Sequence, residues 1–458
     1  MSPFEAPRRI HFVGIGGAGM SAIAKVLLEQ GLTITGSDLK RSRAATMLEA
    51  MGARIDIGHR AENVDDADIV VVSTAIPEKN PERRRATQLG VPLMSRGHVL
   101  AEVLEGKRSL VVAGTHGKTT TTSMAVSVAR AAGLDPTYLV GGGLNDAGSN
   151  ARYGRGEYTL AESDESDGSF LLLHPFVAVV TNIETDHVDY WASDAELRSA
   201  FERFIGQVHP EGAVVVPADD RSLLDAASRT GRRVVTFGSG GDFQAVDPTP
   251  TADGMSFLLE AGGATAEVHL RVRGLHNVAN ALAAAAACAQ IGVDHPAIAR
   301  GLADFRGVER RFQVRGTAAG VTVVDDYAHH PTEVRATLTS ARPGPWERVV
   351  AVFQPHRYSR TAAMAADFGD AFGAADRVVI TDIYGAGEQP VPGVSGKLVA
   401  DAVCDRLPGR PVAYLPHRDE LLAYLENHTR TGDMLLTLGA GDINAVGEEL
   451  LARLGGRA

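Results

Sequence analysis

Two short glycine loops, each entered from an apolar, β-branched run and left through a helical stretch, constrain most strongly what this chain can fold into. The first is Gly14-Ile15-Gly16-Gly17-Ala18-Gly19, after the run Arg9–Val13 and before a helical pattern reaching Gln30. The second is Gly114-Thr115-His116-Gly117-Lys118-Thr119-Thr120, between the run 109–113 and a helical pattern reaching Ala132. A strand that turns through glycines directly into a helix belongs in a parallel sheet, because the helix is the crossover to the next strand. Apolar runs at 32–35, 69–72, 158–161 and 177–181 extend the same alternation. Those at 158–161 and 177–181 lead straight into Glu162-Ser163-Asp164-Glu165 and Asn182-Ile183-Glu184-Thr185-Asp186-His187. Polar groups at the carboxyl ends of parallel strands are where open α/β sheets hold ligands. Residues 249–263 and 267–272 have hairpin character, and runs at 321–324, 349–353, 377–381, 411–415 and 434–438 mark a last α/β unit.

The first loop satisfies G-x-G-x-x-G at Gly14, Gly16 and Gly19, with Asp38 ending the next strand. That pattern brings a pyrophosphate to a helix N-terminus and places an acid near a ribose. It also describes a nicotinamide-dependent dehydrogenase. The second loop counts against that reading, since a dehydrogenase needs no Lys-Thr cradle. Backbone N–H groups of such a loop hold phosphates, its lysine reaches the β/γ region, and its threonine hydroxyl ligates Mg²⁺. The common spacing G-x-x-x-x-G-K-[ST] asks for glycine at position 112, where Val112 stands, so the loop is a variant.

At 458 residues the chain exceeds one hydrophobic core, and we divide it at 1–106, 107–310 and 311–458. The net charge of −11 opposes a nucleic-acid-binding role, which needs a basic face. The two cysteines, Cys288 and Cys404, build no disulfide framework and point to a reducing compartment. Residues 1–12 lack the apolar core of a signal peptide, and the most apolar helical run, 279–293, is too short to span a bilayer. The expected location is the cytoplasm.

The second loop resembles the nucleotide loop of the Mur ligase family, the ATP-dependent amino-acid ligases of peptidoglycan synthesis. The resemblance continues in family order through Glu162-Ser163-Asp164-Glu165-Ser166-Asp167, Thr181 to His187, His276-Asn277-Val278-Ala279-Asn280, Arg310-Arg311-Phe312-Gln313, Asp325 to Glu333, and Phe353 to Thr361. It implies an α/β protein of three domains: a Rossmann-like N-terminal domain, a central P-loop ATPase-like domain with a mixed sheet, and a Rossmann-like C-terminal domain. The ordered set looks most like the branch that adds L-alanine to UDP-N-acetylmuramate, with ATP and Mg²⁺ as cofactors, as a monomer or homodimer. A tripeptide-adding recycling ligase is the near alternative. Several sister ligases use a carbamylated lysine in the central domain. Here no lysine occurs between Lys118 and Lys397, so that route is closed.

By resemblance, Gly14, Gly16, Gly17, Gly19, Asp38, Ser73 and Thr74 would bind the UDP-sugar. Gly114 to Thr120 would hold ATP, with Asn277, Asn280, Arg311 and Asp326. Thr119, Glu162 and His187 would carry the metal. Glutamate is a hard oxygen ligand suited to Mg²⁺, whereas imidazole is not its favoured partner. Tyr327, His329, His356, Arg357 and Arg360 would meet the amino acid, with Lys118, His329 and Arg360 as catalytic groups. An arginine fork suits a carboxylate, and an unperturbed imidazole, titrating at about 6.5, suits an amine proton. Against these stand blander readings: Asn277 as a helix cap, the arginines as a solvated face, and Asp326 with His329 as a structural pair.

Overall fold

The computed structural model describes residues 8–143, 149–187 and 190–456. Of the stretch 1–12 read for a leader, residues 1–7 lie outside them. Three sheets follow one another along the chain. The first contains β1 (Arg9–Val13), β2 (Thr33–Asp38), β3 (Arg54–Ile57), β4 (Ile69–Val72) and β5 (Leu93–Ser95). All are parallel, in the order β3-β2-β1-β4-β5, the Rossmann arrangement. Ile10, Phe12 and Val13 are fully buried because helices cover both faces of the sheet.

The second sheet has ten strands: β6 (Arg108–Ala113), β7 (Thr137–Leu139), β8 (Ala151–Arg152), β9 (Tyr158–Glu162), β10 (Val177–Val180), β11 (Ala213–Pro217), β12 (Arg233–Phe237), β13 (Phe243–Pro250), β14 (Met255–Ala261) and β15 (Ala264–Leu270). Their order is β15-β14-β13-β12-β11-β10-β6-β9-β7-β8. The middle is parallel, while β13, β14 and β15 form an antiparallel meander. The expected hairpin is therefore one strand larger, because β13 begins at Phe243 and joins β12 to the meander. Helix Leu275–Ala289 packs its alanine run against this sheet and against helix Lys118–Ala131. Ala281 to Ala287 expose nothing except a trace at Leu282, since small side chains allow close approach.

The third sheet joins β16 (Gln313–Ala318), β17 (Val321–Asp326), β18 (Arg348–Phe353), β19 (Arg377–Ile380), β20 (Val412–Tyr414) and β21 (Asp433–Leu438) in the order β16-β17-β21-β18-β19-β20. Five strands are parallel and β16 is an antiparallel edge, which makes the unit Rossmann-like with one departure. Among the described residues, no helix is long and apolar enough to cross a membrane.

Candidate active site between three sheets

The loops after β1, β6, β9, β10, β17 and β18 line one cleft of about 820 Å³, so the carboxyl ends of strands from all three sheets face a common space. The second glycine loop forms its floor. Val112, where the common motif has glycine, is a buried strand residue paired with β9 and β10. The turn is made instead at Gly114, at φ +133°, where a β carbon would lie 2.1 Å from Thr181 Oγ1. Thr181 Oγ1 also donates to the His116 carbonyl, and the His116 N–H donates to Asn182 Oδ1. Strand β10 thus shapes the loop.

Lys118 opens the following helix. Its Nζ donates to the carbonyls of Gly114 (2.5 Å) and Thr115 (3.1 Å) and lies 2.8 Å from Glu165 Oε2. Burial works against its charge, but Glu165 and Asp164 outweigh that and hold the ammonium above its usual range. Burial raises the Glu162 carboxyl, with Thr119 and Lys118 nearby offsetting part of that. Its Oε2 has no hydrogen-bond partner among the described residues. Asp164, Glu165 and His187 offer ligand atoms within 4.8 Å of one another. His187, at φ +53°, places Nε2 3.2 Å from Glu165 Oε1. Of the three expected metal ligands, Thr119 and Glu162 come together, while His187 groups with Asp164 and Glu165. The sequence reading quoted both acids but gave them no role. Their spacing from Glu162 was the available signal.

The third sheet supplies the opposite wall, where Tyr327, His329, His356, Arg357 and Arg360 all line the cleft. Arg360 was expected to present its fork to a ligand carboxylate. Instead Nε and Nη2 donate to Asp186 Oδ1 at 3.0 and 2.9 Å, with Nη2 3.1 Å from Oδ2. Both side chains are only 7% exposed, so this is a buried bridge between the second and third sheets. His329 is also corrected: burial pushes its imidazole to about 3, not the unperturbed value near 6.5. Its Nδ1 sits 3.0 Å from the Tyr327 carbonyl, which can only accept. In the neutral ring Nδ1 therefore carries the hydrogen, and Nε2 keeps the lone pair. His356 is likewise lowered to about 4 by burial and by Arg360.

A cavity of about 200 Å³ adjoins the cleft and shares His116, Gly117 and Arg311 with it. Thr120, Asn277, Asn280 and Asp326 line it. Asn277 is not the helix cap, a place taken by Gly274; its Nδ2 donates to the Arg273 carbonyl. Asn280 Nδ2 donates to Asn277 Oδ1, so the two do share one face. Asp326 accepts N–H bonds from Phe312 and Ala328, and burial raises its carboxyl to about 6. It holds backbone here and makes no pair with His329. Arg311 reaches Glu333 at 3.5 Å.

At the first glycine loop only Gly16 among the expected residues lines the large cleft. The Gly14 N–H donates to the Ser37 carbonyl and the Gly16 N–H to Asp38 Oδ2, so these groups are already satisfied. Through this Oδ2 Asp38 secures the loop. Gly17 caps the helix, and Gly19 lines an adjoining cavity of about 210 Å³ beside Arg96, which shares Ala18, Gly141, Glu162 and Asp164 with the cleft. Ser73 and Thr74 lie just past β4 and line neither space. Arg96, which sequence reasoning missed, contacts Asp164 and Asp167 at 3.3 Å and ties the first sheet to the acidic loop.

Comparison with known proteins decides the family. Residues 9–108 match the Mur ligase family catalytic domain, 112–288 the Mur ligase middle domain, and 310–441 the Mur ligase glutamate ligase domain. A UDP-N-acetylmuramate–L-alanine ligase of Rubrobacter xylanophilus is 50% identical over 97% of this chain and all of its own length. The chain belongs to the Mur ligase family. Another ligase so named, from Mycolicibacterium smegmatis, is 45% identical over 98% of this chain and 95% of its own. Among solved structures, UDP-N-acetylmuramate-alanine ligase MurC from Thermotoga maritima superposes with a TM-score of 0.84 at 32% identity, covering 98% of this Mur ligase and 100% of that chain. A murein peptide ligase from Psychrobacter arcticus gives 0.74 at 26% identity, over 98% and 99%.

Proposed function

We propose that this Mur ligase joins L-alanine to the lactyl carboxylate of UDP-N-acetylmuramate, converting ATP to ADP and phosphate, in cytoplasmic synthesis of the peptidoglycan precursor. The observation that carries the reading is the single cleft that gathers a phosphate loop, unpaired acid oxygen and an arginine–histidine wall from three sheets. A carboxylate oxygen attacks the γ-phosphorus and ADP leaves, giving an acyl phosphate. The alanine nitrogen then attacks the acyl carbon, phosphate leaves, and the nitrogen loses a proton.

Lys118 is the group for the β/γ phosphates, once it exchanges Glu165 for them. Thr119 and Glu162 fit Mg²⁺: the Glu162 Oε2 atom is buried without a partner beside a hydroxyl, a hard-oxygen pair. Asp164, Glu165 and His187 provide further donors at the same place. When bound, the ion would draw charge from the transferring phosphoryl group. Asn277 and Asn280 fit the base of the nucleotide, with Arg311 at the mouth of that cavity. The first turn of helix Ala18–Glu29 fits the UDP diphosphate. Arg357 and Arg360 suit the alanine carboxylate, Arg360 by releasing Asp186. His329, neutral with its lone pair on Nε2, suits orienting the amine as an acceptor; at about 3 it is too weak a base to take the proton, which passes to the departing phosphate or to water.

The test is phosphate release from ATP with full-length protein. It should require both UDP-N-acetylmuramate and L-alanine, and Lys118→Ala should lower it by at least about a hundred-fold. Release that needs tripeptide instead of alanine would move the protein to the recycling branch. Release without either acceptor would overturn the reading.

A further inference from the structure

Beneath the first glycine loop lies a buried polar cluster that the proposed chemistry leaves unused. Glu82, at the start of helix Pro81–Leu89, exposes none of its surface. Its Oε1 accepts from Asn63 Nδ2 at 2.5 Å and lies 3.7 Å from His11 Nε2. Its Oε2 accepts from Ser37 Oγ at 2.7 Å and lies 2.9 Å from His59 Nδ1. Burial opposes the charge on this carboxyl, but His11, Ser37 and Asn63 outweigh burial and keep it below its usual range. An ionised carboxylate sealed inside a domain is a poor way to gain stability compared with an apolar side chain of similar shape. Its place in the fold shows what it holds instead.

Ser37 connects the cluster to the loop. Its hydroxyl donates to Glu82, while its carbonyl accepts from the N–H groups of Gly14 (2.8 Å) and Ile15 (3.0 Å). The next residue, Asp38, accepts from Gly16 N–H through Oδ2 (2.9 Å) and from Gly58 N–H through its carbonyl (2.8 Å). Gly58 directly precedes His59, so the chain of bonds closes on itself. Three successive loop N–H groups thus take their direction from residues 37 and 38. The loop has no slack: a β carbon on Gly16 would lie 2.7 Å from Ser42 Oγ and 2.8 Å from Asp38 Oδ2. The helix Ala18–Glu29 begins where this loop ends, so its first-turn N–H groups point where the loop sends them.

We infer that Glu82 is a positioning residue for the UDP-sugar, acting through Ser37 to hold the glycine loop in the shape that receives the diphosphate. The inference rests on the proposed function for the identity of that ligand. Glu82 is sealed from the cleft and acts only through its neighbours.

The test uses full-length Glu82→Gln, which removes the charge at nearly constant shape, and Ser37→Ala, which removes only the link. Each substrate is varied in turn in rate measurements. Calorimetry follows UDP-N-acetylmuramate and, separately, a non-hydrolysable ATP analogue. In both variants KM and Kd for UDP-N-acetylmuramate should rise by about ten-fold or more, the effect of a lost bond to a charged group. KM for ATP and for alanine should stay within about two-fold, with kcat at saturation nearly unchanged. A purely structural role would lower the melting temperature without this selective rise. Should Glu82→Gln fail to fold, Ser37→Ala decides alone. Unchanged UDP-sugar KM in folded Ser37→Ala, or an equal rise for all three substrates, overturns the inference. Wild-type protein that binds no UDP-N-acetylmuramate would overturn the proposed function itself, which is a separate result.

Discussion

His116 on the nucleotide loop sits between two acids from different sheets, and this placement makes interdomain stability depend on pH in a specific sense. Its Nε2 is 3.6 Å from Glu184, in the loop after β10, and its Nδ1 is 3.4 Å from Glu333, on helix Pro331–Ala341 after β17. The ring also lies against His330, with centroids 4.5 Å apart. Burial opposes protonation, but the nearby carboxylates of Glu184 and Glu333 outweigh it and raise the imidazole from 6.5 to about 9. Its side chain is 12% exposed, so solvent screening is small. The difference between 6.5 and about 9, at about 1.4 kcal/mol per pH unit, corresponds to roughly 3 kcal/mol. Because the folded value is the higher one, this contribution is complete below about pH 6.5 and disappears as pH rises through about 9. His116→Gln removes it at every pH. Urea unfolding, followed through Trp191 and Trp346, should then show the variant less stable by roughly 3 kcal/mol at about pH 6 and nearly equal to wild type by about pH 10. A gap that stays constant across that range, or widens with pH, would refute the assignment of a charged imidazole between these acids.

Two further substitutions probe the same region. Gly114→Ala places a β carbon 2.1 Å from Thr181 Oγ1 at φ +133°, and should cost about 2 kcal/mol or more while raising KM for ATP; an unchanged melting temperature would contradict the strained turn. Asp186→Ala leaves the Arg360 guanidinium buried without its acid and should cost about 3 kcal/mol, seen as faster proteolysis between the second and third sheets; equal proteolysis would mean the bridge carries no load.

How much of this was legible depends on whether the deciding partner lies nearby in the chain. Strand β4 is the uninterrupted apolar run Ile69–Val72, and its limits follow from that run alone. The two-residue β8 offers no pattern, and the edge strand β16, with no buried position and a glycine, reads as loop. The phosphate loop was legible despite Val112 because Gly-Lys-Thr opens the helix either way. The loop-holding role of Asp38 was hidden because the sequence shows an acid ending a strand but not that Gly16 N–H, 22 residues earlier, would donate to it. Arg360 was placed in the cleft correctly, yet its partner Asp186 is 174 residues away. The low value of His329 arises from burial and from Arg360, which lies 31 residues further on in helix Tyr358–Met364 and outweighs the opposite pull of Glu333 and Asp186.

The pairing of these charges also bears on how the proposed reaction begins. Three of the cations it needs are already matched by an acid: Lys118 by Glu165 at 2.8 Å, Arg311 by Glu333 at 3.5 Å, Arg360 by Asp186 at 2.9 Å. When Lys118 turns to the phosphates, Glu165 loses its nearest cation while Glu162 and Asp164 stand beside it. Buried acids left without a counter-charge are strongly unfavourable, and a polyanion brought next to them adds repulsion. Glu162, Asp164 and Glu165 would be the residues to hold a divalent cation there, and its charge would offset both. Until then Lys118, 2.8 Å from Glu165, is what neutralises the acidic loop, and this contact couples it to the phosphate loop.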